Sequence, residues 1–467
     1  MRTRLLFQKN LPFAFLSSAR PSRLCALCGK AVLLKKLLLL LLVLLLPGCS
    51  LIQGIDLPVT LPSAGTATPA GDAQQTATPR PTASPTVSPT PIQSLTLWVP
   101  PEFDPYSGST AGNLLRSRLE AFSRLNGGVK VQVRVKAASG PGGLLESLSA
   151  AGAVAPNALP GVVALSRADV ETAALKGLIV PLDGLSTAID EQDWYNYARQ
   201  LAMVQGATFA LPFAGDALVV AYRPANVAVV PSDWASVYRL SQPLAFPAGD
   251  NQALFVLALY QSVGGTVEDA QRRPTLQPDL LSQVLTVLSD GEQRGIFPAW
   301  LAQYETSGQV WQAYHDQRVN ALVTWVSSYL STLPPDTAAV PIPGLDDTPQ
   351  TLATGWGWAV ADPIPERRAL SVKLAEFLSD GDFLADWSEA AGYLPTRPSS
   401  LAAWSNQSLK TLLSPVAVSA QARPTGDQLA SLGPVLKEAA LKVLKRESDP
   451  TQAAKAASER LAVPETK

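Results

Sequence analysis

The inventory of reactive side chains in this chain is short. Among 467 residues there is one histidine, His315, and there are three cysteines, Cys25, Cys28 and Cys49. A Ser-His or Cys-His nucleophile needs an imidazole base, and a multi-histidine metal site needs several imidazoles. His315, in the helical run Tyr314-His315-Asp316, supplies neither. Cys25 and Cys28 have the spacing of a metal or redox pair, but no second pair follows. Pro141-Gly142-Gly143 lacks the spacing and the lysine of a phosphate loop. The chain is therefore read as a non-enzyme with no metal and no cofactor. Aromatic rings and carboxylates remain. Ring faces suit the apolar faces of pyranose rings, and carboxylates such as Glu102, Asp104, Asp216 and Asp250 accept from hydroxyls. A glycosidase would use two carboxylates as well, and a residue count alone leaves that alternative open.

The third cysteine has its own context. Lys35-Lys36 precede ten residues, 37–46, of which nine are Leu and one is Val, and Pro47-Gly48-Cys49-Ser50 follow. A run this short behind two lysines fits the apolar region of a secretory signal. Leu46-Pro47-Gly48-Cys49 resembles the lipobox of bacterial lipoproteins. That resemblance implies removal of residues 1–48 and acylation of Cys49, the palmitate-like chains inserting in the membrane. The leader is long for a signal peptide; translation starting near Val32 or Leu33 would place residues 1–31 outside the natural product. Eight basic and no acidic residues precede Cys49, so the remainder carries 29 basic against 38 acidic side chains, a net charge near −9. A chain of that sign has no electrostatic footprint for nucleic acid.

Residues 49–94 are read as a disordered tether. From Leu57 onward the composition is mostly Pro, Thr, Ser, Ala and Gly, as in Thr78-Pro79-Arg80-Pro81-Thr82, too poor in apolar side chains to offset the entropy of ordering. Globular texture begins after Ser94. Residues 95–99, 129–135 and 161–165 read as strands, the second by strict alternation. Residues 111–125 carry helical spacing, and Ser166 with Asp169 marks a helix start that Gly177 closes. Extended segments follow at 209–213 and 217–222, separated by Ala214-Gly215-Asp216, and at 321–326 and 356–360. Helices are expected at 251–263, 278–294, 307–317 and from Arg367 onward. Alternating strands and helices predict an α/β fold with a mainly parallel sheet, and some 370 residues of it predict two lobes.

The order of several short segments resembles extracellular solute-binding protein family 1, the maltose-type binding proteins of ABC importers. These segments are Gly177-Leu178-Ile179-Val180-Pro181-Leu182-Asp183, the stretch from Leu211-Pro212-Phe213 to Tyr222, and Pro231-Ser232-Asp233-Trp234. Asp316 to Leu322, Gly355-Trp356-Gly357-Trp358-Ala359-Val360 and Gly392-Tyr393-Leu394-Pro395-Thr396-Arg397 complete the series. The resemblance implies a two-lobe, periplasmic-binding-protein-like fold. It divides the chain into residues 95–213 with 323–378 as lobe one and 214–322 with 383–467 as lobe two. Crossovers are expected near 214–216, 320–324 and 379–382. Two departures stand out: Gly426-Asp427-Gln428-Leu429 occupies a region where many sugar binders place a Trp, and Arg223-Pro224 replaces the usual Asn-Lys.

A cleft between such lobes would take a small polar solute, most simply a sugar. Its expected lining is Phe103, Tyr106, Phe213, Asp216, Asp250, Trp325, Trp356 and Tyr393. Trp98 and Tyr222, within strands, are expected in the core, and of Trp356 and Trp358 one is expected to face the solute. The partners implied are that solute, ABC permease subunits and the membrane through Cys49, with the protein acting as a monomer on the extracytoplasmic face. A surface sensor or adhesin built on the same fold is the alternative use.

Overall fold

The computed structural model describes residues 93–346 and 348–462; the leader, Cys49 and most of the tether lie outside them. The first strands form as their patterns dictate. Strand β1 (Ser94–Val99) pairs in parallel with β2 (Lys130–Val135), and β3 (Val162–Ser166) lies on its other side, also parallel. Between them runs the helix Thr110–Leu125. Ser109 caps it by accepting from the Gly112 N–H, and its apolar stripe Leu115, Leu119 and Phe122 is buried. Ser166 in turn caps the helix Arg167–Leu175 at the Asp169 N–H, and Gly177 leaves it with φ +66°.

The centre of the molecule is one long strand. β6 (Ala210–Tyr222) follows a small hairpin of β4 (Met203–Val204) and β5 (Ala207–Thr208), and all thirteen of its residues are buried. The expected break at Ala214-Gly215-Asp216 is absent: those residues continue the strand. Gly215 is required there, because a Cβ would collide with the Tyr197 hydroxyl and lie 2.7 Å from the Leu394 carbonyl oxygen. The turn-like residues thus serve a close backbone approach.

β6 is shared between two packing units. Residues 210–217 pair antiparallel with β10 (Thr351–Val360), whose other edge pairs with β3. Residues 218–222 pair antiparallel with β8 (Ala321–Trp325) and β9 (Ala338–Pro341), and β7 (Leu244–Ala245) lies parallel to β8. The sheet order is β2-β1-β3-β10-β6-β8-β7, with β11 (Ala420–Ala422) on β10. Parallel pairing thus holds at the two ends of the sheet, while the shared centre is antiparallel.

Each unit has its own core. Leu97, Phe122, Phe213, Trp358 and Trp387 pack together in the first, and Trp98, Leu144, Val163 and Val170 on the other face of its sheet. Val220, Phe246, Leu257, Val323, Tyr329 and Leu436 pack in the second. A smaller cluster at the junction combines Tyr197, Val219, Val326, Ala353 and Leu413. Two of the expected boundaries therefore move. Val323 and Tyr329 belong with the second core, because β8 bonds the far half of β6; the chain returns to the first unit at β10. Leu384 and Trp387 belong with the first core, so 379–382 is no crossing. Trp98 and Tyr222 are buried as expected.

Candidate functional site

The junction of the two units is also where polar side chains converge. Asp216 sits in the middle of β6, and across the antiparallel ladder its partner is Thr354 of β10. The Asp216 carboxylate accepts from the N–H groups of Ala217 (2.9 Å) and Ser327 (3.0 Å) and from the Ser327 hydroxyl. Burial pushes its pKa up to about 6, and these hydrogen bonds limit the rise. Two residues along β10 from Thr354, on the same face, is Trp356, half-buried. Gly215 exchanges backbone hydrogen bonds with Leu394 at 2.9 and 2.8 Å, which fixes Tyr393 beside the strand. The Tyr393 phenol is raised well above its usual pKa, first by burial and then by the neighbouring Asp216 and Glu102 carboxylates.

Behind Trp356 and Tyr393 stands a buried aromatic support. The Phe103 ring lies 5.2 Å from Trp356 and 5.6 Å from Tyr393, edge to face, and Phe213 stacks on Trp358 at 4.0 Å. Phe103 and Phe213 are only 2% and 1% exposed, so they brace the wall and do not line it. That corrects their expected place in the lining. Trp358 is buried and Trp356 half-buried, although residues two apart on a strand share a face, so burial changes along that face of β10. Tyr106 is 64% exposed on the loop after β1 and is not brought to the other rings by any aromatic contact among the described residues.

On the other side lies a cavity of about 460 Å³. Asp216 and Thr354 contribute from the shared strands, Trp325 from the end of β8, and Asp250, Gln252 and Leu254 from the loop entering the helix Leu254–Ser262. Glu305, Thr306 and Ser307 contribute at the start of the helix Ser307–His315, and Arg423 from the segment after β11. Asp250 is held by the N–H groups of Gln252 (2.9 Å) and Leu254 (3.4 Å). Of the expected lining residues, Asp216, Asp250 and Trp325 border this cavity. Trp356 and Tyr393 stand on the adjoining face of the first unit.

Three charged residues went unread in the sequence. Arg423 donates to Gln252 Oε1 at 3.1 Å, and burial lowers its pKa. Arg167 and Glu171 form an i,i+4 ion pair at 2.9 Å, both 8% exposed. The Nε and Nη1 atoms of Arg167 and the Nε of Arg423 are buried with no acceptor among the described residues. Each such donor costs roughly 1–3 kcal/mol. The signal was present only as an Arg-x-x-x-Glu spacing directly after the strand β3. His315, by contrast, is exposed against Trp311, away from the cavity.

The comparisons agree with this geometry. A family model for bacterial extracellular solute-binding proteins matches residues 117–411, more than half of the chain. This chain belongs to that family. No curated protein matches this solute-binding protein in sequence. Among solved structures, the sugar-binding protein MalE of Xanthomonas citri is similar with a TM-score of 0.65 at 16% identity, covering 79% of this chain and 97% of that one. A cyclo/maltodextrin-binding protein complexed with maltotetraose gives 0.65 at 17% identity, covering 82% and 100%. The GacH receptor of Streptomyces glaucescens, solved unliganded and with acarbose, gives 0.56 at 18% identity, covering 78% and 96%. The shared fold is the two-lobe α/β architecture of these proteins. For this solute-binding protein, family membership places its work outside the cytoplasm.

Proposed function

We propose that the protein captures a small carbohydrate between its lobes and delivers it to an ABC-type permease by lobe closure. The observation that carries this reading is the polar cavity at the junction, where Trp325, Asp216, Asp250, Thr354 and Arg423 converge from both sides of the shared sheet. A ring face with convergent acceptors and donors is what a polyhydroxylated ring needs. Trp356 and Tyr393 complete the site from the first lobe. The resemblance to maltose- and maltodextrin-binding proteins in fold supports the same class of solute.

In this reading no bond of the solute is broken; the protein binds and excludes water. One lobe comprises about residues 95–217, 351–394 and the strands around β3, the other about 218–345 and 426–462, and β6 with β10 forms the bridge between them. Closure follows if the solute binds the closed arrangement better than the open one. Acylation at Cys49 would hold the protein at the membrane, with 50–92 as the leash. A thermal-shift screen over monosaccharides, disaccharides, sugar alcohols and oligosaccharides tests the solute class, since a ligand of the folded state raises the melting temperature by mass action. A screen in which amines or amino acids stabilise the protein and no saccharide does would overturn it.

A further inference from the structure

The cavity at the junction is unevenly charged. Its lining holds three carboxylates, Asp216, Asp250 and Glu305, against one guanidinium, Arg423. They come from separate elements: Asp216 from the middle of β6, Asp250 from the loop entering the helix Leu254–Ser262, and Glu305 from the turn before the helix Ser307–His315. Among the described residues none of these three carboxylates forms an ion pair. Arg423 does not neutralise them. It donates to the Gln252 amide oxygen at 3.1 Å, and Gln252 turns its own N–H to Asp250 Oδ1 at 2.9 Å.

Asp216 decides what the excess means. It is only 9% exposed, and it accepts from neutral donors alone, the N–H groups of Ala217 and Ser327 and the Ser327 hydroxyl. Oδ2 takes just the last of these, so a lone pair remains for a further donor. A buried carboxylate is ordinarily matched by a cation or a metal. Among the described residues no group of three or more acidic, histidine or cysteine side chains is placed to hold a metal ion. The counter-charge left is one that arrives with the solute. Trp325, half-buried in the same lining, adds an indole, the side chain whose ring face attracts a cation best.

We infer that the solute is an amino sugar, its ammonium group seated among Asp216, Asp250 and Glu305 and its ring against Trp325. The ammonium takes the place of a missing lysine or arginine, and the ring hydroxyls use the remaining acceptors and Arg423. A neutral sugar of the same shape leaves the carboxylates unmatched and binds less tightly. This inference rests on the carbohydrate reading and adds the charge of the solute to it.

The test is calorimetric titration of the full chain in detergent with glucosamine, galactosamine and the disaccharide of chitosan. Each is compared with its neutral counterpart (glucose, galactose or cellobiose) and with its N-acetylated form, which keeps the nitrogen and loses the charge. At least one amino sugar is expected to bind about tenfold or more tightly than both of its counterparts. Asp216→Asn and, separately, Glu305→Gln should each reduce that ratio to about threefold or less. Melting temperatures verify that the variants fold, and Glu305→Gln, exposed at the rim, carries the test where Asp216→Asn does not. Neutral or N-acetylated sugars that bind the native chain as tightly as the amino sugars overturn the inference and leave the carbohydrate reading standing. An unchanged ratio in the folded variants also overturns it. Failure of every saccharide to bind overturns both.

Discussion

Asp216 and Ser327 are joined twice: the Ser327 N–H lies 3.0 Å from Asp216 Oδ1, and the Ser327 hydroxyl donates to Oδ2. The contact ties the middle of the strand common to both lobes to the first turn of the helix Val326–Thr332. A carboxylate in that position accepts from otherwise unpartnered N–H groups at a helix start, which favours its charged form against the effect of burial.

Burial wins on balance, and the consequence is a pH dependence of stability. The folded pKa of Asp216, about 6, lies above its ordinary value of 3.8. Between those values the folded chain holds the proton more tightly than the unfolded chain, so this group's contribution falls as pH rises from about 4 to above 6. The loss amounts to roughly 2–3 kcal/mol. Denaturant unfolding at pH 4.5 and 7.5 should show the native chain losing that much relative to Asp216→Asn. Parallel pH profiles for the two would refute the assignment.

Trp356 and Tyr393 are predicted to carry binding affinity. Trp356→Ala or Tyr393→Ala should each weaken binding of the saccharide found by thermal shift by about 1–3 kcal/mol. Titration calorimetry reads this directly, and circular dichroism reports whether the fold survives. Native affinity in both variants would move the site away from this wall.

Gly433 lies where the helix Gly426–Leu444 presses on the loop that carries Asp250. A Cβ there would collide with the Asn251 carbonyl oxygen and sit 2.8 Å from Gln252 Cα. Both neighbours are backbone and cannot swing aside. Gly433→Ala should therefore destabilise the protein by roughly 1–3 kcal/mol and lower solute affinity as well, by shifting the loop. Unchanged melting temperature and affinity would contradict the packing.

Cys49 is predicted to anchor the protein. In a bacterial host that processes lipoproteins, Cys49→Ser should shift the protein from the detergent phase to the aqueous phase or leave the precursor uncleaved. The chain begun at Gln93 should fold and bind solute with native affinity. A tenfold loss in that shortened chain would assign contacts to residues 50–92.

Much of the fold was legible because local signals agreed with one another. Ser166 caps the helix it was read to start, and the alternation of Lys130–Val135 is a real edge strand. Gly215 was read as part of a break between two extended segments, because its reason for being glycine is the Tyr197 hydroxyl, which is close in space but not in sequence. Phe103 and Phe213 were placed in the lining for a similar reason. Composition shows that a ring is present but not which side of the sheet's wall it occupies. Arg167 and Arg423 lie 256 residues apart, and no local pattern links them.

The antiparallel place of β10 between β3 and β6 has a consequence for how the molecule comes into being. Until residues 351–360 have left the ribosome, both β3 and the first half of β6 have an open edge, and the N-terminal lobe lacks the strand that joins them. Early completion of that lobe is therefore blocked by chain order, whatever its own helices and strands favour. The same open edges are the sites at which the nascent chain most needs shielding from its neighbours.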